Sequence, residues 1–183
     1  MQRIDQAQGH TAVTDGTHPT GVRLRPAQPH DVPEILALIR ELADYEKLLH
    51  EVDASEADIA RDLFGDTPRA HCDIAQWNGE VAGFALWFYN YSTFRGRAGI
   101  YLEDLFVRPA FRGNGLGKAL IAHLAARCVE QSLPRLQWSV LDWNKPSIAF
   151  YQSLGAVLTP EWLGCRVTGD AMAALARTAP PVC

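Results

Sequence analysis

The chain reads as a mixed α/β protein, and three observations carry that reading. Two apolar runs meet at Asn78-Gly79, a dipeptide that favours a tight hairpin turn. Two stretches, 32–42 and 116–124, repeat apolar residues at helical spacing. Strand-like and helix-like patterns follow one another as strand, two helices, three strands, helix, strand, helix, strand.

Val22-Arg23-Leu24-Arg25 alternates as a short strand does. Asp31 is placed to cap the helix that follows, with Pro33 in its first turn and Glu34 three residues beyond the cap. Val32, Ile35, Leu36, Ile39 and Leu42 share one face of that helix, and the pattern fades near Lys47. Ser55 caps a shorter helix that reaches about Phe64. Strands are expected at His71–Trp77, Val81–Tyr89 and Ile100–Val107, the last interrupted by two carboxylates. A glycine-rich loop then leads into a helix with Leu116, Leu120, Ile121 and Leu124 on one face. Leu136–Leu141 reads as a strand. Asn144 precedes a helix with Pro146 near its start, and Gly155 ends it. A final strand pair is expected at Ala156–Leu158 and Leu163–Thr168, and a last short helix near Asp170.

Of the 183 residues 48% are hydrophobic, enough for a sizeable core, and the formal net charge is −4. The basic residues are scattered, which argues against a nucleic-acid partner. No apolar run is long enough to span a membrane. The first twenty residues are polar, lack the apolar core of a signal peptide and read as a disordered extension. Residues 21–183 then read as a single domain. Cys72, Cys128, Cys165 and Cys183 are too sparse for a disulfide framework and form no Cys-x-x-Cys pair. Free thiols and a cytoplasmic setting are the expectation. The six histidines lack metal-ligand spacing, so no metal site is expected.

The loop is Arg112-Gly113-Asn114-Gly115-Leu116-Gly117-Lys118, between an apolar strand and an amphipathic helix. Glycines let a backbone approach a ligand closely, and the first N–H groups of a helix have no partner within it. Together they make a cradle for a pyrophosphate, with Arg112 and Lys118 adding positive charge. A Walker loop is excluded, because Arg112 stands where its first glycine belongs and Ala119 follows Lys118. A dinucleotide fingerprint is excluded too, because Lys118 occupies its third glycine position. A flexible strand-to-helix turn is the plain alternative.

In its remaining pattern, Arg-x-x-Gly-x-Gly, the loop resembles the acetyl-CoA loop of the GNAT superfamily of N-acetyltransferases. The resemblance runs from Leu24 to about Leu175. Glu41–Glu46 (ELADYE), Tyr101–Asp104 (YLED), Phe111–Gly113 (FRG), Trp143–Ile148 (WNKPSI) and the pair Phe150-Tyr151 narrow it to the diamine acetyltransferases, and more closely to their thialysine-type branch. It implies a central, mixed, mostly antiparallel twisted sheet flanked by helices, acetyl-CoA as cosubstrate, a small-molecule amine as acceptor and a homodimer.

Acetyl transfer to an amine needs a deprotonated amine, whose pKa is otherwise about 10.4. It also needs a stabilised oxyanion and a proton for the departing thiolate. Glu103 and Asp104 lie in an apolar strand, where they serve either a salt bridge or the reaction. The resemblance assigns amine deprotonation to Glu103, and attraction of the cationic substrate to Asp104 and Glu46. It assigns protonation of the sulfur to Tyr151, whose spacing from Ile148 and Leu154 also suits a core aromatic. The resemblance implies that the strand residues Leu105 and Val107 hold the pantetheine arm through backbone groups, and Phe106 between them joins the expected CoA contacts. Asn144, which also suits a helix cap, is implied as a further CoA contact, with Ser147 and Tyr151. Trp87, Trp138, Trp143 and Trp162 read as core or pocket walls, and Trp87 and Tyr45 join the expected amine contacts. Ser92 stands where the polyamine-type enzymes carry an acidic residue, which favours a shorter, amino-acid-like amine. A protein N-terminal or lysine acetyltransferase, and a non-catalytic acetyl-CoA-binding module, remain as alternatives.

Overall fold

The computed structural model describes residues 21–181. They fall into two compact units, one ending at Ser139 and one beginning at Val140. The extension expected at 1–20 lies outside the described residues, as does Cys183.

The first unit holds β1 (Val22–Pro26), α1 (Val32–Tyr45), α2 (Glu56–Phe64), β2 (His71–Trp77), β3 (Glu80–Ser92), β4 (Arg97–Val107), α3 (Leu116–Glu130) and β5 (Leu136–Trp138). The sheet order is β1-β2-β3-β4-β5. The first four strands are antiparallel neighbours, and β5 joins β4 in parallel. This is the mixed, mostly antiparallel sheet that the resemblance implies. Asn78 and Gly79, at φ 50° and 90°, make the expected β2–β3 turn.

One face of the sheet packs against α1 and α2. Val32, Ile35, Leu36 and Leu38 of α1 and Ile59 and Leu63 of α2 meet Cys72, Ile74, Phe84 and Phe106. On α3, Leu116, Leu120, Ile121 and Leu124 are all buried. The short helix α2 is capped as expected, with Ser55 Oγ accepting from Asp58 N–H at 3.2 Å.

Asp31 does not cap α1 through its side chain. Arg25 at the end of β1 competes for the carboxylate, donating to both oxygens at 2.6 and 2.7 Å, and the Gln28 N–H adds a third bond at 2.7 Å. This charge-assisted fork is stronger than a single bond to a helix N–H, and it holds the Asp31 carboxyl below the usual range.

In the second unit α4 (Lys145–Ser153) carries its expected signals. Asn144 Oδ1 accepts from Ser147 N–H at 3.3 Å, and Gly155 turns the chain at φ 90°. The expected strand at Leu136–Leu141 stops at Trp138, and neither strand of the pair expected at 156–168 forms. A strand needs a partner for its backbone groups, and none adjoins these segments within the unit. The last helix, α5 (Gly169–Ala176), forms where expected. Trp143 and Trp162 are exposed, so neither belongs to the core.

Candidate active site

The register of β3 against β4 contains one irregularity. Leu86 pairs with Asp104 and Trp87 with Leu102, so Glu103 is an extra residue opposite no partner. Such a bulge interrupts the two-residue alternation and re-aims the side chains that follow it. Tyr101 pairs with Phe88 and Asp104 with Leu86, and these β3 residues lie on the same face. Tyr101 and Asp104, three apart in sequence, therefore share that face, the one packed against α1 and α2.

Three carboxylates gather here. Asp104 is pushed up to about 6, chiefly by burial and further by the charges of Glu103 and Glu46. Burial also raises Glu46, which follows the last residue of α1. Glu103 is exposed. Among the described residues, neither Glu103 nor Asp104 has an arginine or lysine in an ion pair, so the salt-bridge alternative has no partner in the fold. Repulsion among uncompensated carboxylates favours a cationic guest.

The end of β4 is fastened to α1. Arg108 donates to Glu41 at 2.8–3.1 Å, to Glu34 at 2.6 Å and to the Val81 carbonyl at 3.0 Å. Gly83 makes the β3–β4 approach possible here, since a Cβ would collide with the Phe106 carbonyl oxygen. Sequence reasoning missed Arg108, because its partners lie 67 and 74 residues away.

The glycine loop continues from that point. Arg112 Nε donates to the Val107 carbonyl at 2.9 Å, and its guanidinium lies 5.0 Å from the Tyr45 ring centroid and 5.7 Å from that of Phe106. Asn114 Nδ2 closes the turn on the Phe111 carbonyl at 3.1 Å. Gly113 and Gly115 sit at φ 83° and 79°, which L side chains rarely adopt. A Cβ on Gly113 would meet nothing within 4 Å, so the loop offers open space to a ligand. The first helical hydrogen bond runs from Ala119 N–H to Gly115, leaving the N–H groups just before it without partners in the helix. The exposed Lys118 stands in this first turn. The cradle fits a pyrophosphate. Leu116 and Phe106 are buried in the core, so their side chains are closed to a ligand.

The edge of β4 beside β5 is open. Pairing covers Ile100–Leu102 and Leu136–Trp138 and then stops. From Glu103 to Val107 that edge has no strand partner among the described residues, and Leu105 and Val107 lie on it. It runs from the glycine loop to the carboxylates.

Trp87 is not among these groups. It lies one residue from Leu86, on the opposite face of the sheet, where it is buried. Its Nε1 donates to Asp73 at 2.8 Å, His71 stacks on it at 4.4 Å, and Arg127 of α3 lies 4.9 Å from its ring centroid. The expectation of an amine contact at Trp87 is corrected by this placement.

In the second unit, Asn144 is buried as the cap of α4, Ser147 gives it a backbone N–H, and Tyr151 is half-buried beside Phe150, ring centroids 5.3 Å apart. Among the described residues no group of His, Cys, Asp and Glu is arranged to hold a metal, and no helix is long and apolar enough to cross a membrane.

Residues 35–156 match the profile of the acetyltransferase (GNAT) family. A thialysine N-epsilon-acetyltransferase from Bos taurus is 42% identical over 166 residues, covering 85% of this chain and 97% of the relative. An L-ornithine N5-acetyltransferase from Arabidopsis thaliana is 33% identical over 208 aligned positions, covering 87% and 91%. An integron cassette protein from the mobile metagenome of V. cholerae has the same fold, at a TM-score of 0.73 and 28% identity, over 87% of this chain and 99% of that one. With its five-stranded mixed sheet, glycine cradle and acid-bearing bulge, the chain belongs to the GNAT acetyltransferase family and is an acetyltransferase of thialysine-acetyltransferase type.

Proposed function

We propose that the enzyme transfers the acetyl group of acetyl-CoA to the primary amine of a small diamine or amino-acid-like substrate, by direct attack. One observation carries the reading: the open edge of β4 leads from the glycine cradle to the carboxylates Glu103, Asp104 and Glu46.

The backbone N–H groups of 113–118 hold the pyrophosphate, with Arg112 and Lys118 supplying charge. The backbone groups of Leu105 and the N–H of Val107 pair with the amides of the pantetheine arm, as an added strand would, while the Val107 carbonyl is held by Arg112. A backbone N–H of that stretch polarises the thioester carbonyl. Asn144 and Ser147 contribute further contacts to CoA. Asp104 and Glu46, with Tyr45 beside them, draw in a cationic amine. Glu103, exposed to solvent at the bulge, takes the amine proton through water. Tyr151 gives its phenolic proton to the leaving sulfur. The two units act together as one acetyltransferase domain.

The names of the thialysine and ornithine relatives favour an amine on an amino-acid-like molecule. Ser92, which adds no charge at the end of β3, agrees with that preference. The test is thiol release from acetyl-CoA with thialysine, lysine, ornithine, putrescine and spermidine. Preference for the first three supports the reading, and preference for spermidine moves the substrate to the polyamines. CoA binding with no release on any amine would refute it.

The enzyme is further proposed to act as a homodimer in the cytoplasm. Val157, Leu163, Val167, Met172 and Leu175 of the second unit are exposed, and the two strands expected there lack partners. A second copy can cover the apolar groups and pair the backbone. Sedimentation showing only monomer at micromolar concentration would exclude this.

A further inference from the structure

Parallel pairing of β4 with β5 ends at Leu102 and Trp138. At that point Tyr101 Oη and Ser139 Oγ lie 2.8 Å apart, at hydrogen-bond distance. Tyr101 is in register with Gln137, and Ser139 is two residues beyond Gln137, so Tyr101 and Ser139 share a face. The Tyr101 ring also packs on Phe88, centroids 5.3 Å apart and planes tilted by 30°. The bond thus links β4 to the end of β5 just where the two part, with a large ring braced behind it. The bulge at Glu103 puts Asp104 on the same face.

We propose that the Tyr101–Ser139 hydrogen bond is the stop that limits the acyl group to acetyl, so that these two residues set the donor specificity of the enzyme. The inference rests on the proposed acetyl-CoA reading. In that reading the phosphates sit at the glycine loop, beyond Val107, and the arm lies along the open edge of β4. Five extended residues, Glu103 to Val107, span roughly 16 Å at about 3.3 Å each. The acyl end is therefore the end nearest Leu102. Each carbon added to acetyl extends toward the hydrogen bond between Tyr101 and Ser139. With the bond intact, the half-buried ring is tethered to the exposed Ser139 on one side and packed on Phe88 on the other. A stop that excludes an added methylene discriminates by roughly tenfold or more.

Neither residue belongs to the acid–base set or to the glycine cradle, so changing them leaves the transfer chemistry in place. The experiment compares acetyl-, propionyl- and butyryl-CoA with one good amine, in the wild type, Ser139→Ala and Tyr101→Phe. Both substitutions remove the bond with little change in volume. The expected result is that each raises the butyryl-to-acetyl ratio of kcat/KM by roughly fivefold or more, with acetyl transfer retained. A ratio within about twofold of the wild type in both variants would overturn the proposal. Calorimetric affinities for the same three thioesters give a second readout that needs no turnover. If the wild type acetylates no amine, the functional reading fails by itself, and the affinity ratios still decide whether the bond limits acyl length. If a variant loses activity through misfolding, its partner variant carries the same prediction.

Discussion

The substitution Asp104→Asn should make the protein more stable at neutral pH and a poorer enzyme. The carboxyl is half-buried and repelled by Glu103 and Glu46, and its pKa rises from an ordinary 3.8 to about 6. Each tenfold change in proton affinity corresponds to about 1.36 kcal/mol, so the ionised form weakens the fold by at most about 3 kcal/mol. Because the folded-state pKa is raised, the destabilisation is absent below pH 3.8, grows as pH rises towards 6 and is complete above it. An amide at this position lacks the charge, so the variant should gain most at about pH 7.5, about half as much at about pH 5, and nothing below the ordinary carboxylate pKa. In a domain of this size each kcal/mol raises Tm by roughly 2–4 °C. Urea titrations of both proteins at these two pH values, together with amine KM at the higher one, test this. KM for a dicationic amine should rise at least about tenfold, the effect of losing about 1.4 kcal/mol of attraction. If the variant is equally destabilised at both pH values, Asp104 is instead a satisfied polar group, and the account of its electrostatics fails. If KM is unchanged while stability rises, the carboxylates do not recognise the amine.

Three further outcomes are expected. Tyr151→Phe should lower kcat while the affinity for CoA, measured by calorimetry, stays within about threefold; equal loss of both would make Tyr151 a packing residue. Gly113→Ala forces an L side chain to φ 83°, which disfavours the loop by about 1–2 kcal/mol. CoA affinity should fall about tenfold with melting temperature nearly unchanged, and unchanged affinity would show that the cradle is not used. Arg108→Met leaves Glu34 and Glu41 without their shared cation. With all three side chains partly exposed, the loss in urea unfolding should be about 1–3 kcal/mol, partly restored by Lys, and no loss would reduce the fork to a surface contact.

Local signals are legible in the sequence. The turn at Asn78-Gly79, the cap at Ser55 and the glycine turn into α3 each depend on residues within a few positions of one another, and each stands where the pattern puts it. What the sequence hides depends on distant partners. Asp31 looks like a cap until Arg25 is brought beside it by the fold. The segments at 156–168 have strand composition, but composition supplies no neighbour to pair with. Nothing in Leu102-Glu103-Asp104-Leu105 marks the extra residue. Strict alternation would give Tyr101 and Asp104 opposite faces, whereas the bulge puts them together. The place of Trp87 is hidden for a similar reason, since its face follows from strand register and from Asp73, 14 residues away.

The helix α1 touches both halves of the chemistry. Its flank carries the Glu34 and Glu41 carboxylates that hold Arg108, its last residue, Tyr45, lies beneath the guanidinium of Arg112, and Glu46 follows directly. If the proposed site is right, changes at the end of this helix that retune the choice of amine also disturb the loop proposed to hold the nucleotide. An engineer, or a lineage under selection for a new acceptor, therefore faces linked traits. Substitutions that broaden the amine range at Tyr45 or Glu46 should need compensating changes near Arg112. Tyr101 bonds to Ser139 and packs on Phe88, neither of which is on this helix, so a donor range set there, as proposed above, would drift separately.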